Sequence, residues 1–209
     1  MSGFTDPADD SSLTSAVIRA ALNKAAPVGA MMDYLGTTAP TGWVLGAGKT
    51  IGSVASSGTE RANADTEDLF TLLWTNFTNT ELVIQDSAGS QTTRGISAAA
   101  DFAANKRMPT PDLRGRTAVG LDNMGGSSAN RITATEADTI GKATGTETHT
   151  LVEAEMPAHV HTGAGGTALV SNQGPGPTVA STMATASTGG GGAHANVQPT
   201  FFTGKIIKL

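Results

Sequence analysis

Large side chains are scarce. The 209 residues include six Phe, two Trp and one Tyr, set against 26 Gly. Hydrophobic residues make up 38% and charged residues 15%, where globular domains average about 45–50% and about 25%. A thick single-chain core needs more bulk than this. The charge is also too low for a self-repelling disordered polymer. Positions filled by Ala, Gly, Ser and Thr suit thin, extended structure, including structure that completes its core with copies of itself. At 21.0 kDa the chain has room for one medium domain, or a small one with appendages.

The formal net charge is −5 and the pI about 5.2. Phosphate binding draws on clustered Lys and Arg, so the expectation is no nucleic-acid partner and no attraction to an anionic membrane. No apolar run approaches the roughly 20 residues that span a bilayer, so no membrane insertion is expected. Met1-Ser2-Gly3-Phe4-Thr5-Asp6-Pro7 has neither the basic nor the apolar region of a signal peptide. Zero cysteines exclude disulfides, a Cys-based zinc site and a thiol nucleophile.

Along the chain, residues 1–9 read as an acidic tail. Leu13, Val17, Ala20 and Lys24 form a short helical stripe over Asp10–Ala26 that packs on a partner or on its own domain. Val28 to Leu45 reads as strand, turn, strand, with Ala39-Pro40-Thr41-Gly42 as the turn. Gly46 to Asn63 reads as polar loop. Carboxylates at Asp65, Glu67 and Asp68 favour a helix start, and Leu69, Leu73 and Phe77 make the best core helix of the chain. Residues 78–107 are weakly patterned, with an edge strand at Leu82-Val83-Ile84. Met108 to Arg116 is rigid and extended, since each proline fixes its φ. Thr117 to Leu121 reads as a strand, and Thr150 with Glu153 as a capping box opening a helix over Leu151–Met156. From Gly163 to Ala193 almost everything is Gly, Ala, Ser or Thr, the mark of a functional or disordered loop. Val197 to Leu209 closes the chain, with Phe201-Phe202-Thr203 and Ile206-Ile207 in a strand.

The sharpest chemical feature is His159-Val160-His161. On an extended segment residues i and i+2 share a face about 6.5 Å apart, so both imidazoles can reach one metal. Two ligands are too few for a tight site. Three copies on a three-fold axis would bring six nitrogens, an octahedral set better suited to iron, nickel or cobalt than to tetrahedral zinc. The competing reading is two surface histidines beside a loop. His149 and His194 read as loop residues. Catalytic motifs are missing: no Gly-x-Ser-x-Gly elbow, phosphate loop or dinucleotide fingerprint is present. Of the carboxylates, Asp112 is expected to brace the Pro-rich turn with Arg114 and Glu153 to cap a helix. Neither they nor Glu155 form a pair recognisable as catalytic.

In this order, the segments resemble the phage tail collar family of short tail fibres and microcystin-dependent proteins. The resemblance runs from Pro27-Val28-Gly29-Ala30 through Ala39-Pro40-Thr41-Gly42-Trp43-Val44-Leu45 to the helix Leu69-Phe70-Thr71-Leu72-Leu73. It continues through Pro111-Asp112-Leu113-Arg114-Gly115-Arg116, Gly145 with His149-Thr150-Leu151, and Glu155-Met156-Pro157-Ala158-His159-Val160-His161. It ends at Asn196-Val197-Gln198-Pro199 and Ile206-Ile207-Lys208. The chain departs from the family in the polar insertion 78–107 and at Phe201-Phe202-Thr203-Gly204. The resemblance implies an α+β fold of short strands, loops and few short helices, intertwined as a homotrimer. Residues 1–27 would be a virion-docking tail and helix that meets other tail or baseplate proteins. Residues 28–161 would be the collar domain, 162–196 a distal loop segment and 197–209 the strand completing the collar. His159 and His161 would hold a transition metal ion (Fe, Ni, Co or Zn) on the trimer axis. The implied function is a structural, non-enzymatic tail fibre or collar protein. It would be made in the host cytoplasm, assembled into the virion and used in host attachment to a surface glycan or protein. The alternatives are a purely architectural adaptor and a polysaccharide hydrolase.

Overall fold

The computed structural model describes residues 26–124, 126–158 and 191–209. The N-terminal helical stripe, the His159/His161 pair and the Gly-rich stretch 162–190 lie outside the described residues. The rest is a mixed α+β chain of short helices and small sheets, as expected. It divides into one compact unit holding residues 26–144 with 201–209, and another holding 145–158 with 191–200.

In chain order the strands and helices are β1 (Met31–Tyr34), β2 (Trp43–Leu45), β3 (Thr50–Gly52), β4 (Arg61–Ala62), α1 (Glu67–Asn76), α2 (Ala98–Ala103) and β5 (Arg107–Pro109). The second unit contributes β6 (Thr148–His149) and β7 (His194–Ala195), and the chain ends in β8 (Gly204–Lys208). β1 and β2 are not neighbours. β8 lies between them, antiparallel to both, pairing Met32 with Ile206 and Val44 with Ile207. Successive strand residues point to opposite faces. Because Ile206 and Ile207 are both buried, β8 is covered on both sides. The strand begins at Gly204 and leaves Phe201 and Phe202 out of it, 81% and 78% exposed.

A second sheet, ordered β4-β3-β5, forms where a polar loop was expected between Gly46 and Asn63. Its central strand has one large apolar residue, Ile51, and a buried threonine, so no alternating pattern marks it. Thr59 compensates for burying Thr50: its Oγ1 accepts the Thr50 N–H at 2.9 Å, and the Thr59 N–H donates to Thr50 Oγ1 at 2.9 Å. The strand expected at Leu82-Val83-Ile84 is a turn and loop instead. The Asn79 side chain accepts the Ile84 N–H at 3.0 Å, which holds Ile84 in the core without a ladder. Thr117–Leu121 is not a strand either. It has no pairing partner among the described residues and leaves Val119 71% exposed.

α1 starts where the carboxylates suggested. Asn63 Oδ1 caps the preceding 3₁₀ turn at the Asp65 N–H, and Glu67 and Asp68 lie in the first helical turn. Leu69, Phe70 and Leu73 face inward with Ile51, Ile84, Phe102, Met108 and Ile207. α2 gave little sequence signal, being six residues long and mostly alanine. Ser97 caps it, and Phe102 meets Phe70 edge to face at 5.3 Å.

Two charged residues lock the helices. Arg94 reaches the carbonyls of Trp74, Phe77 and Leu82, placing a cation at the C-terminal end of α1, where the helix dipole favours it. Asp101 is 2% exposed and accepts from Trp74 Nε1 at 2.9 Å, the Gly95 N–H at 2.8 Å and Lys106 Nζ at 2.7 Å. Burial alone would raise the Asp101 pKa, but the Lys106, Gly95 and Trp74 donors outweigh it and hold the carboxyl below its ordinary value. Asp101→Ala strands those donors and is expected to cost about 3 kcal/mol in denaturant unfolding. The carboxylate's contribution is fully present above the unfolded-chain value of about 3.9 and is lost as pH falls through the lower folded-state value. An Asp101→Ala protein as stable as the parent would refute this role.

Candidate functional site

β6 and β7 form a two-residue ladder in the second unit, pairing Thr148 with Ala195 and His149 with His194. The Asn196 N–H extends it by donating to Glu147 O at 2.8 Å. Directly opposed strand residues bring their side chains close, and the two imidazoles meet edge to face with centroids 5.8 Å apart. His149 Nε2 lies 2.7 Å from Glu155 Oε2, and the same oxygen accepts the Val152 N–H at 2.8 Å. Glu155 is thereby held below its ordinary pKa, first by the Val152 N–H and then by the His149 ring.

This corrects the local reading. The helix expected over Leu151–Met156 is a single 3₁₀ turn at Glu153–Glu155. Glu155, not Glu153, reaches back to the start of that turn, and Val152 rather than Thr150 occupies the capping position. Valine has no acceptor to complete a reciprocal cap, and Pro157 prevents the turn from lengthening. His149 and His194, read from the sequence as loop residues, form a cross-strand pair. Their separation across the Gly-rich segment left no local signal, because only the ladder brings them together.

Asp112 braces the Pro-rich segment as expected. Arg114 grips it with Nε at 2.8 Å from one carboxylate oxygen and Nη2 at 2.6 Å from the other, and the Arg114 N–H adds a bond at 3.2 Å. The Arg114 side chain is the main reason the carboxyl falls to about 2. A carboxyl so fully ionised near neutral pH is a poor proton donor. Leu113 N–H donates to Gly46 O at 2.9 Å, joining this segment to the chain after β2.

The predicted metal ligands His159 and His161 lie outside the described residues. Among the described residues, no three His, Asp or Glu side chains are placed to hold a metal ion. No described helix is long and apolar enough to cross a membrane. Compared with known proteins, the chain matches no family model, no curated protein and no solved structure.

The ladder and its Glu155 tie form one local unit, so Glu155→Gln should raise the hydrogen-exchange rate of the Asn196 amide severalfold. Exchange at the buried amides around Asp101 should not change. Equal Asn196 exchange in parent and variant would show that the carboxylate does not support the ladder.

Proposed function

We propose that this chain is a tail fibre or collar protein of a phage virion, a structural component that trimerises and contributes to host attachment. The observation that carries the reading is the apolar surface the described chain leaves uncovered. Met31 and Met32 are adjacent residues of β1, hence on opposite faces, and are 49% and 52% exposed. Among the described residues β1 is paired only with β8. The register that matches Tyr34 with Gly204 brings the chain after β1 alongside the chain before β8. Leu35, Phe201 and Phe202 are all strongly exposed there. Covering such side chains contributes about 1.5–3 kcal/mol each, and interleaved copies of the same chain supply the cover. This also answers the shortage of bulk in the sequence and the lack of disulfides.

In the trimer, three copies of His159 and His161 offer six imidazole nitrogens, a donor set that fits an octahedral Fe, Ni or Co ion better than Zn. Such an ion would tie the three chains together. Residues 1–27 dock to the neighbouring tail or baseplate protein, and the distal segment 162–196 faces the host. The role is structural: the Arg114 grip on Asp112 and the engagement of Glu155 by His149 and Val152 favour it over a polysaccharide hydrolase.

Antibodies against the purified chain should decorate phage tails in electron micrographs, and the purified chain should compete with particles for adsorption to host cells. Tail labelling without competition would assign an architectural adaptor in place of an attachment protein. Particles without label would refute the reading. Elemental analysis should find about one transition metal per three chains, lost in a His159→Ala, His161→Ala double variant. Metal retained by that variant would remove the two histidines from the site.

A further inference from the structure

We infer that the groove beside Trp43 is a binding site for an uncharged sugar ring. The groove has a volume of about 300 Å³ and is walled by Thr37, Thr38, Trp43, Lys49, Glu60 and Arg61, at the small end of the roughly 300–1,000 Å³ range of ligand sites. It lies wholly within the first unit, between the turn leading into β2 and the segment joining β3 to β4.

Glu60 gives the groove an open acceptor. Its side chain is 9% exposed. Oε1 accepts the Leu45 N–H at 2.8 Å. Oε2 has only the Lys49 ammonium, at 3.9 Å, beyond hydrogen-bond distance. Oε2 is thus free to accept a hydrogen bond from a ligand, and Glu60 lines the groove. The groups that could otherwise serve it are committed. The Thr59 hydroxyl is bound to Thr50, and the Arg61 guanidinium is clamped on both oxygens of Asp65 at 2.7 and 2.5 Å. The Thr37 and Thr38 hydroxyls, both on an exposed turn, have no partner among the described residues.

The charges select the ligand class. Lys49 disfavours a cation, Glu60 disfavours an anion, and Asp65 already neutralises Arg61. The Glu60 carboxylate can accept from a neutral O–H or N–H donor. Trp43 supplies an aromatic surface beside it, with the Lys208 ammonium over its ring at 5.9 Å from the centroid. Hydroxyl donors around an apolar C–H face, set against an indole and a carboxylate, are the surface of a pyranose. The distal segment 162–196 has no aromatic residue, so the groove provides a sugar-facing surface that the segment lacks. The inference rests on the groove alone and holds whether or not the chain is a tail protein.

The two tryptophans make the test internally controlled, since Trp74 donates to buried Asp101 away from the groove. Glucose, galactose and N-acetylglucosamine would be titrated separately into the 15N-labelled full-length protein, with sodium glucuronate, lysine amide and glycerol as comparators. At least one neutral sugar should move the Trp43 indole N–H signal and leave that of Trp74 in place. Glu60→Gln should weaken the sugar by about tenfold, because the amide that replaces Oε2 donates where it must accept. Thr37→Val, on the exposed turn, should weaken it without touching the fold and decides the matter if Glu60→Gln unfolds. A Trp43 response to glucuronate, lysine amide or glycerol alone, no response to any sugar, or a sugar response unchanged in both variants would overturn the assignment. Tail labelling by antibodies is independent of all these results.

Discussion

The first unit closes only when β8 lies down between β1 and β2. Both outer strands come from the early part of the described chain, and the strand that joins them comes from its last residues. Ile206 and Ile207 fill opposite faces of this strand. Lys208 donates to Gly42 O at 3.1 Å and so ties the end of β8 to the turn before β2. Each hydrogen bond of this ladder depends on bringing the two ends of the unit together. Closure entropy rises slowly with loop length, by about 0.6 kcal/mol per doubling. A long excursion between the paired segments is therefore thermodynamically tolerable, and the chain uses that tolerance to carry the second unit and the Gly-rich segment.

Among the described residues, a seam made this way leaves the outer side of β1 unpaired. β1 has β8 on one side, and its methionines are half exposed on both faces. The apolar residues Leu35, Phe201 and Phe202 stand at the same end of the ladder. Exposed sheet edges invite pairing with another chain, and the composition offers no surplus of large side chains to cover this one from within. The buried Asp101 and the half-buried Arg94 stiffen the helical layer around α1 and α2, so this edge belongs to a unit with a defined core.

Legibility in the sequence followed the physics of each element. α1 was readable because its carboxylates, its 3.6-residue stripe and its aromatics agree. Ile206-Ile207 was readable as a strand, but its central place was not, because pairing partners distant in sequence leave no periodic trace. β3 escaped because its polar positions are buried through Thr59 rather than exposed. α2 escaped because six residues rich in alanine give no stripe. The Asp112–Arg114 brace was legible from spacing alone. The His149–His194 pair and the Glu60 groove were not, since both arise from segments that only the fold brings together.

The central claim is that this chain completes itself with copies of itself. Its most direct test is the molar mass of the purified full-length protein by light scattering in dilute buffer. The account predicts three times the 21.0 kDa chain mass, unchanged on dilution. A species of 21.0 kDa would contradict it, because Met31, Met32, Leu35, Phe201 and Phe202 would then have no second copy to cover them.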